Sequence, residues 1–360
     1  MNHFHSLTVA KVTRDTRDAV LVSFDVPDEL ADAYHYQPGQ HLTLRATVDG
    51  QDLRRSYSIC SSVQDGQLRV GIKKVAGGLF STWANEQLKP GMQLDVMPPM
   101  GHFHVPLSPD HQKHYLGVAA GSGITPLFSI IKTTLETELH SRFTLVYGNR
   151  ASSTVMLRDE LADLKDRFLE RLSVVHVMSR EKQDLDLFNG RIDRAKCEAL
   201  CRQWLPVADI DVAFICGPES MMQEVSAALQ ALGLAKEQIK AELFAAGGSQ
   251  RSDARRHAAA GAASTGECDV TLVIDGVHQS FTMQRDRESV LDAGLAQGID
   301  IRYACKGGIC ATCRCKVVDG KVDMDANYAL EDYEIARGFV LSCQAFPASD
   351  TLVLDFDQDG

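Results

Sequence analysis

A chain of 360 residues is longer than one ordinary hydrophobic core organises, so two or three domains are expected. At 44% hydrophobic and 24% charged residues, the composition is that of a water-soluble globular protein and excludes a low-complexity or membrane-embedded chain. A net charge of −11 argues against a nucleic-acid partner; it is also uneven, since from Cys268 onward 16 acidic side chains face 8 basic ones, net −8.

The first residues are charged and hold no apolar run, so no secretory leader is expected. The longest uncharged stretch, Tyr115 to Ile131, is broken by Gly, Ser and Pro. It reads as strand, turn and helix rather than a membrane span. The expected setting is cytoplasmic, where thiols stay reduced.

Residues 1–109 alternate apolar and polar in short runs ("SLTVAKVT", "AVLVSFDV", "HLTLRATV", "LRVGIKKV", "QLDVMPP") separated by Gly, Pro and Asp turns, which predicts a small antiparallel β-barrel. One of its strands carries "RRSYS". Arg55, Tyr57 and Ser58 suit a flavin: a guanidinium for the pyrophosphate, a ring to pack on the isoalloxazine, and a hydroxyl or N–H toward N5. Further on, "KKVAGGLFSTW" adds Gly77-Gly78 and Ser81 at a helix start, readable as a phosphate cradle or as an ordinary capped turn.

Residues 110–244 change character. "HYLGVAA", "RFTLVYGN", "LSVVHVMS" and "DVAFICG" are short buried-type strands with amphipathic helices between them, the pattern of a doubly wound parallel α/β layer. "GVAAGSGITP" sets Gly121, Gly123 and Thr125 between strand and helix. The third glycine of the dinucleotide fingerprint is missing, so this supports only a phosphate-binding turn. "ICGPESMM" places Cys216 and Gly217 at a later strand end, where a nicotinamide could meet the flavin; the competing reading of Cys216 is a buried strand-end thiol. Cys197 and Cys201, i and i+4 on an amphipathic helix, read as packing.

Residues 245–267, rich in Ala, Gly and Ser without apolar periodicity, read as a flexible linker that could be partly helical. Residues 268–360 read as a small α+β domain around "YACKGGICATCRCKV". Its spacing is Cys305-x4-Cys310-x2-Cys313, with Cys343 following after 29 intervening residues, the plant-type [2Fe–2S] pattern. Gly307 and Gly308 let backbone N–H groups approach the sulfides. Structural zinc is disfavoured because it usually takes two closely spaced ligand pairs, not three plus one. Cys315 lies outside the spacing and reads as a small core residue.

Taken together, these motifs resemble the ferredoxin–NADP reductase superfamily in its oxygenase-reductase arrangement, with a β-grasp ferredoxin domain at the C-terminus. The likeness spans essentially the whole chain. It implies FAD in the barrel, NADPH on the α/β layer, and a [2Fe–2S] cluster that passes electrons to a di-iron oxygenase subunit of a multicomponent complex. By position it makes Arg55, Tyr57, Ser58, Lys74, Gly78 and Ser81 flavin contacts, and Gly121, Gly123, Thr125, Cys216 and Gly217 the nicotinamide end. Tyr57, Ser58 and Cys216 would sit at the reacting rings. Plant-type reductases end in an aromatic stacked on the flavin; here the chain continues, and "AELF" offers Phe244 for that role.

The resemblance also puts Ser179-Arg180 at the 2′-phosphate position, favouring NADPH over NADH. Glu181 follows at once, and the competing reading is that Arg180 merely pairs with it. Arg150, after "YGN", serves the cofactor phosphates or is a surface charge. Rival functions are a reductase for another oxygenase or a haem protein, and a non-enzymatic iron–sulfur carrier or sensor.

Overall fold

A computed structural model describes residues 3–244 and 266–358. The predicted linker at 245–267 therefore lies almost wholly outside the described residues. Two compact units emerge, one of Phe4–Phe244 and one containing the described residues from Gly266 onward.

The first unit opens with six strands, β1 (His5–Thr16), β2 (Ala19–Asp25), β3 (His41–Val48), β4 (Gln51–Ser58), β5 (Leu68–Lys73) and β6 (Gln93–Val96). They pair antiparallel in the order β4-β3-β6-β1-β2-β5. An Ile59–Val70 bridge and the Cys60 N–H to Arg69 carbonyl bond join the two ends, so the sheet closes into a barrel. Alternate residues point inward, as period two demands, and Leu7, Val22, Leu42, Leu44, Val70 and Ile72 fill the interior. Helix α1 (Leu79–Glu86) packs Phe80 and Ala84 into that core.

The same unit continues with five parallel strands, β7 (His114–Ala120), β8 (Arg142–Asn149), β9 (Leu172–Met178), β10 (Val212–Gly217) and β11 (Ile239–Leu243), in the order β11-β10-β7-β8-β9. Helices α2 (Ile124–Thr137) and α3 (Arg158–Arg167) bury Leu127, Ile131, Leu161 and Leu164 on one face. On the other, α4 (Arg194–Trp204) and α5 (Glu219–Ala231) bury Cys197, Leu200, Val225 and Leu229. Cys197 and Cys201 are thus packing residues. The strand order reverses between β7 and β10, and at such a switch point the carboxyl ends of two neighbouring strands open a crevice.

Barrel and α/β layer share a core in which Leu21, Cys60 and Phe103 meet Tyr115, Leu127 and Phe214. Polar bonds reinforce the junction: Arg69 donates to both oxygens of Glu160 at 3.0 and 2.6 Å, and Ser129 Oγ donates to the Ser61 carbonyl at 2.7 Å.

The second unit holds β12 (Glu267–Ile274), β13 (Val277–Gln284), α6 (Val290–Ala296), β14 (Arg314–Asp319), β15 (Val322–Met324), α7 (Asp332–Ala336), β16 (Phe339–Leu341), β17 (Ala345–Pro347) and β18 (Thr351–Asp355). Its main sheet runs β13-β12-β18-β14-β16, with β12 and β18 parallel and the other pairs antiparallel. Ser289 caps α6 by accepting the Asp292 N–H at 3.2 Å, and the helix lays Val290, Leu291 and Ala293 on the core. Cys315 sits in that core on β14.

Candidate redox sites

Strand β4 presents the first group of candidates. Alternation leaves Arg54 buried and Arg55 exposed, with Arg55 donating to the Arg54 carbonyl at 2.7 Å. Tyr57 is half-buried against Phe80, ring centroids 5.7 Å apart, and burial holds its hydroxyl well above the usual phenol range, so it stays neutral. Gly77 has φ +73°, a left-handed turn that glycine adopts without strain. Gly78 then stands at the N-terminus of α1, where a Cβ would come within 2.7 Å of Ser81 Oγ. Ser81 pins the turn by accepting from Val75 N–H at 3.1 Å and donating to the Gly78 carbonyl at 3.2 Å. No side chain caps this helix, so its first amides suit an anionic ligand. Lys74 is ion-paired with Glu86 at the far end of α1. Its neighbour Lys73, on the opposite face of β5, points toward the second sheet: a Cβ built on Gly121 would lie 3.5 Å from Lys73 Nζ. Sequence reasoning assigned no role to Lys73, and only the tertiary fold brings it to that turn.

At the switch point, Gly121 has φ +56° and its carbonyl accepts from Tyr147 OH at 2.8 Å. Thr125 Oγ1 donates to the Ser122 carbonyl at 2.9 Å, and α2 likewise starts without a side-chain cap. Gly123 is required by packing, since a Cβ there would fall 2.1 Å from the Cys216 carbonyl oxygen. Gly217 is similarly crowded, by Met221 and Ala120. Cys216 is fully buried at the end of β10; desolvation first, then the nearby Glu242 carboxylate, push its thiol well up, so it is a neutral group. Glu242 lies beside Cys216 in the β10–β11 register and accepts from Ser58 Oγ at 3.4 Å. Ser58, Cys216 and Glu242 therefore converge from the barrel and two parallel strands. Sequence reasoning missed Glu242 by reading "AELF" for its aromatic alone; the signal was a carboxylate near the end of the strand next to Cys216. Phe244 follows directly after β11 and is 36% exposed.

The outer strand ends hold the basic candidates. Ser179 N–H donates to the Asn149 carbonyl at 2.9 Å and Arg180 N–H to the Arg150 carbonyl at 2.8 Å, which sets the two exposed arginines side by side. Glu181 bonds to Ser152, its backbone N–H at 2.8 Å and its hydroxyl as well.

In the second unit the four spaced cysteines come together as two contacting pairs, Cys305 with Cys310 and Cys313 with Cys343. Contact within each pair and burial push the Cys305 and Cys313 thiols well above their ordinary value; bound metal removes such protons outright. Among the described residues no three such donors converge on a single ion. Two pairs suit a two-iron rhomb, one pair to each iron. Gly307 and Ile309 N–H donate to Cys305 Sγ at 3.3 and 3.5 Å, and Gln344 Nε2 to Cys343 Sγ at 3.7 Å, as an anionic sulfur cluster favours. The loop turns through left-handed Lys306, Gly308 and Ala311, with a Cβ on Gly308 only 2.8 Å from the Ala326 carbonyl. Cys305 is the one partly exposed member; the other three are buried.

Comparison with known proteins matches three family models along the chain: an oxidoreductase FAD-binding domain at 6–105, an oxidoreductase NAD-binding domain at 118–227, and a 2Fe-2S iron-sulfur cluster binding domain at 272–348. The chain is 49% identical to the E component of 1,2-phenylacetyl-CoA epoxidase from Escherichia coli K12, over 100% of this chain and 99% of that one. This chain belongs to the ferredoxin reductase family with a C-terminal [2Fe–2S] domain. The reductase is also 34% identical to the ferredoxin reductase component of 3-ketosteroid-9-alpha-monooxygenase from Rhodococcus rhodochrous, over 97% of this chain and 96% of the other. In fold it is similar to phthalate dioxygenase reductase, TM-score 0.58 at 22% identity, covering 98% of each chain. The reductase is an oxidoreductase whose cofactors are FAD, NAD(P)H and a [2Fe–2S] cluster. None of its described helices is long and apolar enough to cross a membrane.

Proposed function

We propose that the reductase takes electrons from NADPH and delivers them to a di-iron oxygenase component that epoxidises the ring of phenylacetyl-CoA, in aerobic phenylacetate breakdown. The observation that carries the reading is the 49% identity over the full chain to the E component of the phenylacetyl-CoA epoxidase. When bound, nicotinamide supplies a hydride, flavin converts the electron pair to single electrons, and the cluster carries them onward.

The residues of the chain have defined tasks in this reading. Arg55 and the uncapped α1 start hold the FAD phosphates, with Gly78 keeping the backbone close and Ser81 fixing the turn. Tyr57 and Phe244 flank the flavin ring, and Ser58 directs its hydroxyl to the reacting face. Gly121, Gly123 and Thr125 shape the opposite turn, with Lys73 and Arg150 supplying positive charge to the dinucleotide phosphates. Ser179 and Arg180 read the 2′-phosphate. Cys216 and Gly217 would line the nicotinamide end of the site, where a neutral, buried thiol would exclude water without offering a competing charge. Glu242 orients Ser58. Hydride transfer needs two rings held at contact distance, not a general base, so the work of these side chains is alignment. Cys305, Cys310, Cys313 and Cys343 ligate the cluster.

The test is reconstitution. The purified protein, with NADPH and the purified epoxidase oxygenase components, should consume NADPH in step with epoxide formation from phenylacetyl-CoA. Reduction of another oxygenase with none of this one would remove the proposed partner and leave the reductase chemistry standing.

A further inference from the structure

Glu181 poses a puzzle for a site that reads a 2′-phosphate. A carboxylate near the end of the second or third parallel strand is what an NAD-type site uses to bind the ribose 2′-hydroxyl and repel a phosphate. Glu181 directly follows Arg180, and Arg180 is backbone-bonded to Arg150 across the two strand ends. Yet its carboxylate takes two bonds from one serine of the neighbouring loop: Ser152 N–H to Oε2 at 2.8 Å, and Ser152 Oγ to Oε1. That loop is itself braced, with Thr154 Oγ1 donating to the Ala151 carbonyl at 2.7 Å and accepting the Ala151 N–H at 3.2 Å.

We propose that Ser152 is a specificity-determining positioning residue: it holds Glu181 against its own loop and so leaves Arg180 available to a 2′-phosphate. The inference rests on the reading that Arg180 meets that phosphate. The Ser152 bonds also hold the Glu181 carboxyl below its usual range, so its charge persists and its direction is what matters. Without the Ser152 hydroxyl, Glu181 keeps only the backbone N–H bond and can swing to pair with Arg180 or to accept from a ribose 2′-hydroxyl. Both outcomes favour NADH.

The test compares wild type with Ser152→Ala, Glu181→Gln, the double variant and Arg180→Ala, all with FAD and cluster bound and with thermal melting as the folding check. Ser152→Ala should raise KM for NADPH by about three- to fivefold, the range open to an exposed charge pair, with kcat and NADH kinetics held or NADH improved. The double variant should restore wild-type KM because no carboxylate remains to intrude. Calorimetry should show the same order for 2′-phospho-AMP and no change for 5′-AMP. An unchanged NADPH-to-NADH ratio in Ser152→Ala, or a loss that the double variant fails to rescue, overturns the role of Ser152. If Arg180→Ala itself leaves NADPH kinetics unaltered, the 2′-phosphate reading is what fails.

Discussion

The cysteine loop of the second unit and the strand-end group around Cys216 are the two candidate redox sites, and they are built in opposite ways. Cys305, Cys310 and Cys313 share one loop, whose left-handed residues and N–H···S bonds are local; only Cys343 arrives from elsewhere. Ser58, Cys216 and Glu242 come from three separate strands, Ser58 and Glu242 being 184 residues apart. A loop that carries its own ligands tolerates damage elsewhere and dies by loss of one thiol. A site assembled from strand ends keeps its groups only while the strands keep their register, so it fails by displacement.

The largest expected effect breaks the comparison at its local end. Cys310→Ser or Cys343→Ser removes one member of each contacting pair in turn. Cluster absorbance and cytochrome c reduction should disappear, while NADPH-to-ferricyanide activity through the flavin continues. Loss of ferricyanide activity in a folded, FAD-containing variant would show that the two sites are not separable.

Next comes the assembled end. In Gly123→Ala the new methyl has no room beside the Cys216 carbonyl, so the turn before α2 and the end of β10 must shift apart. Overpacking of this kind costs about 1–3 kcal/mol. Chemical denaturation should register that loss, and stopped-flow should show slower flavin reduction by NADPH with the cluster spectrum intact. Unchanged flavin reduction would mean that the strand-end spacing does not set the ring geometry.

A smaller effect sharpens the contrast at the cofactor's other end. Arg180→Ala should raise KM for NADPH by roughly tenfold or more, since a hydrogen bond to a charged group is worth about 1.5–3 kcal/mol, and leave NADH nearly unaffected. Steady-state kinetics with the two cofactors decide it.

The smallest effect concerns charge. With net −8 from Cys268 onward, docking of a basic partner should slow as salt rises, because screening shortens to about 10 Å at 0.1 M. Flavin reduction measured alone supplies the baseline. Partner turnover indifferent to ionic strength would leave that charge as ordinary surface.

The sequence by itself was enough for the iron–sulfur domain, the barrel and the doubly wound layer. Three ligands within one loop, period-two strands, and strands alternating with helices are all encoded over a few neighbouring residues. It was also enough to mark Gly123 and Cys216 as turn and strand-end residues. What only the tertiary structure decided is how separate segments meet. Lys73 had no expected role, and only the fold brings its Nζ to the Gly121 turn, while its neighbour Lys74 pairs with Glu86. Glu181 offered a competing partner for Arg180, and Ser152 bonds it from the loop after β8. Glu242 had no motif at all, and β10–β11 pairing sets it beside Cys216. Local spacing fixes which side chains a turn or strand presents; which of them face one another depends on strand order and register, and contacts far apart in the chain establish both.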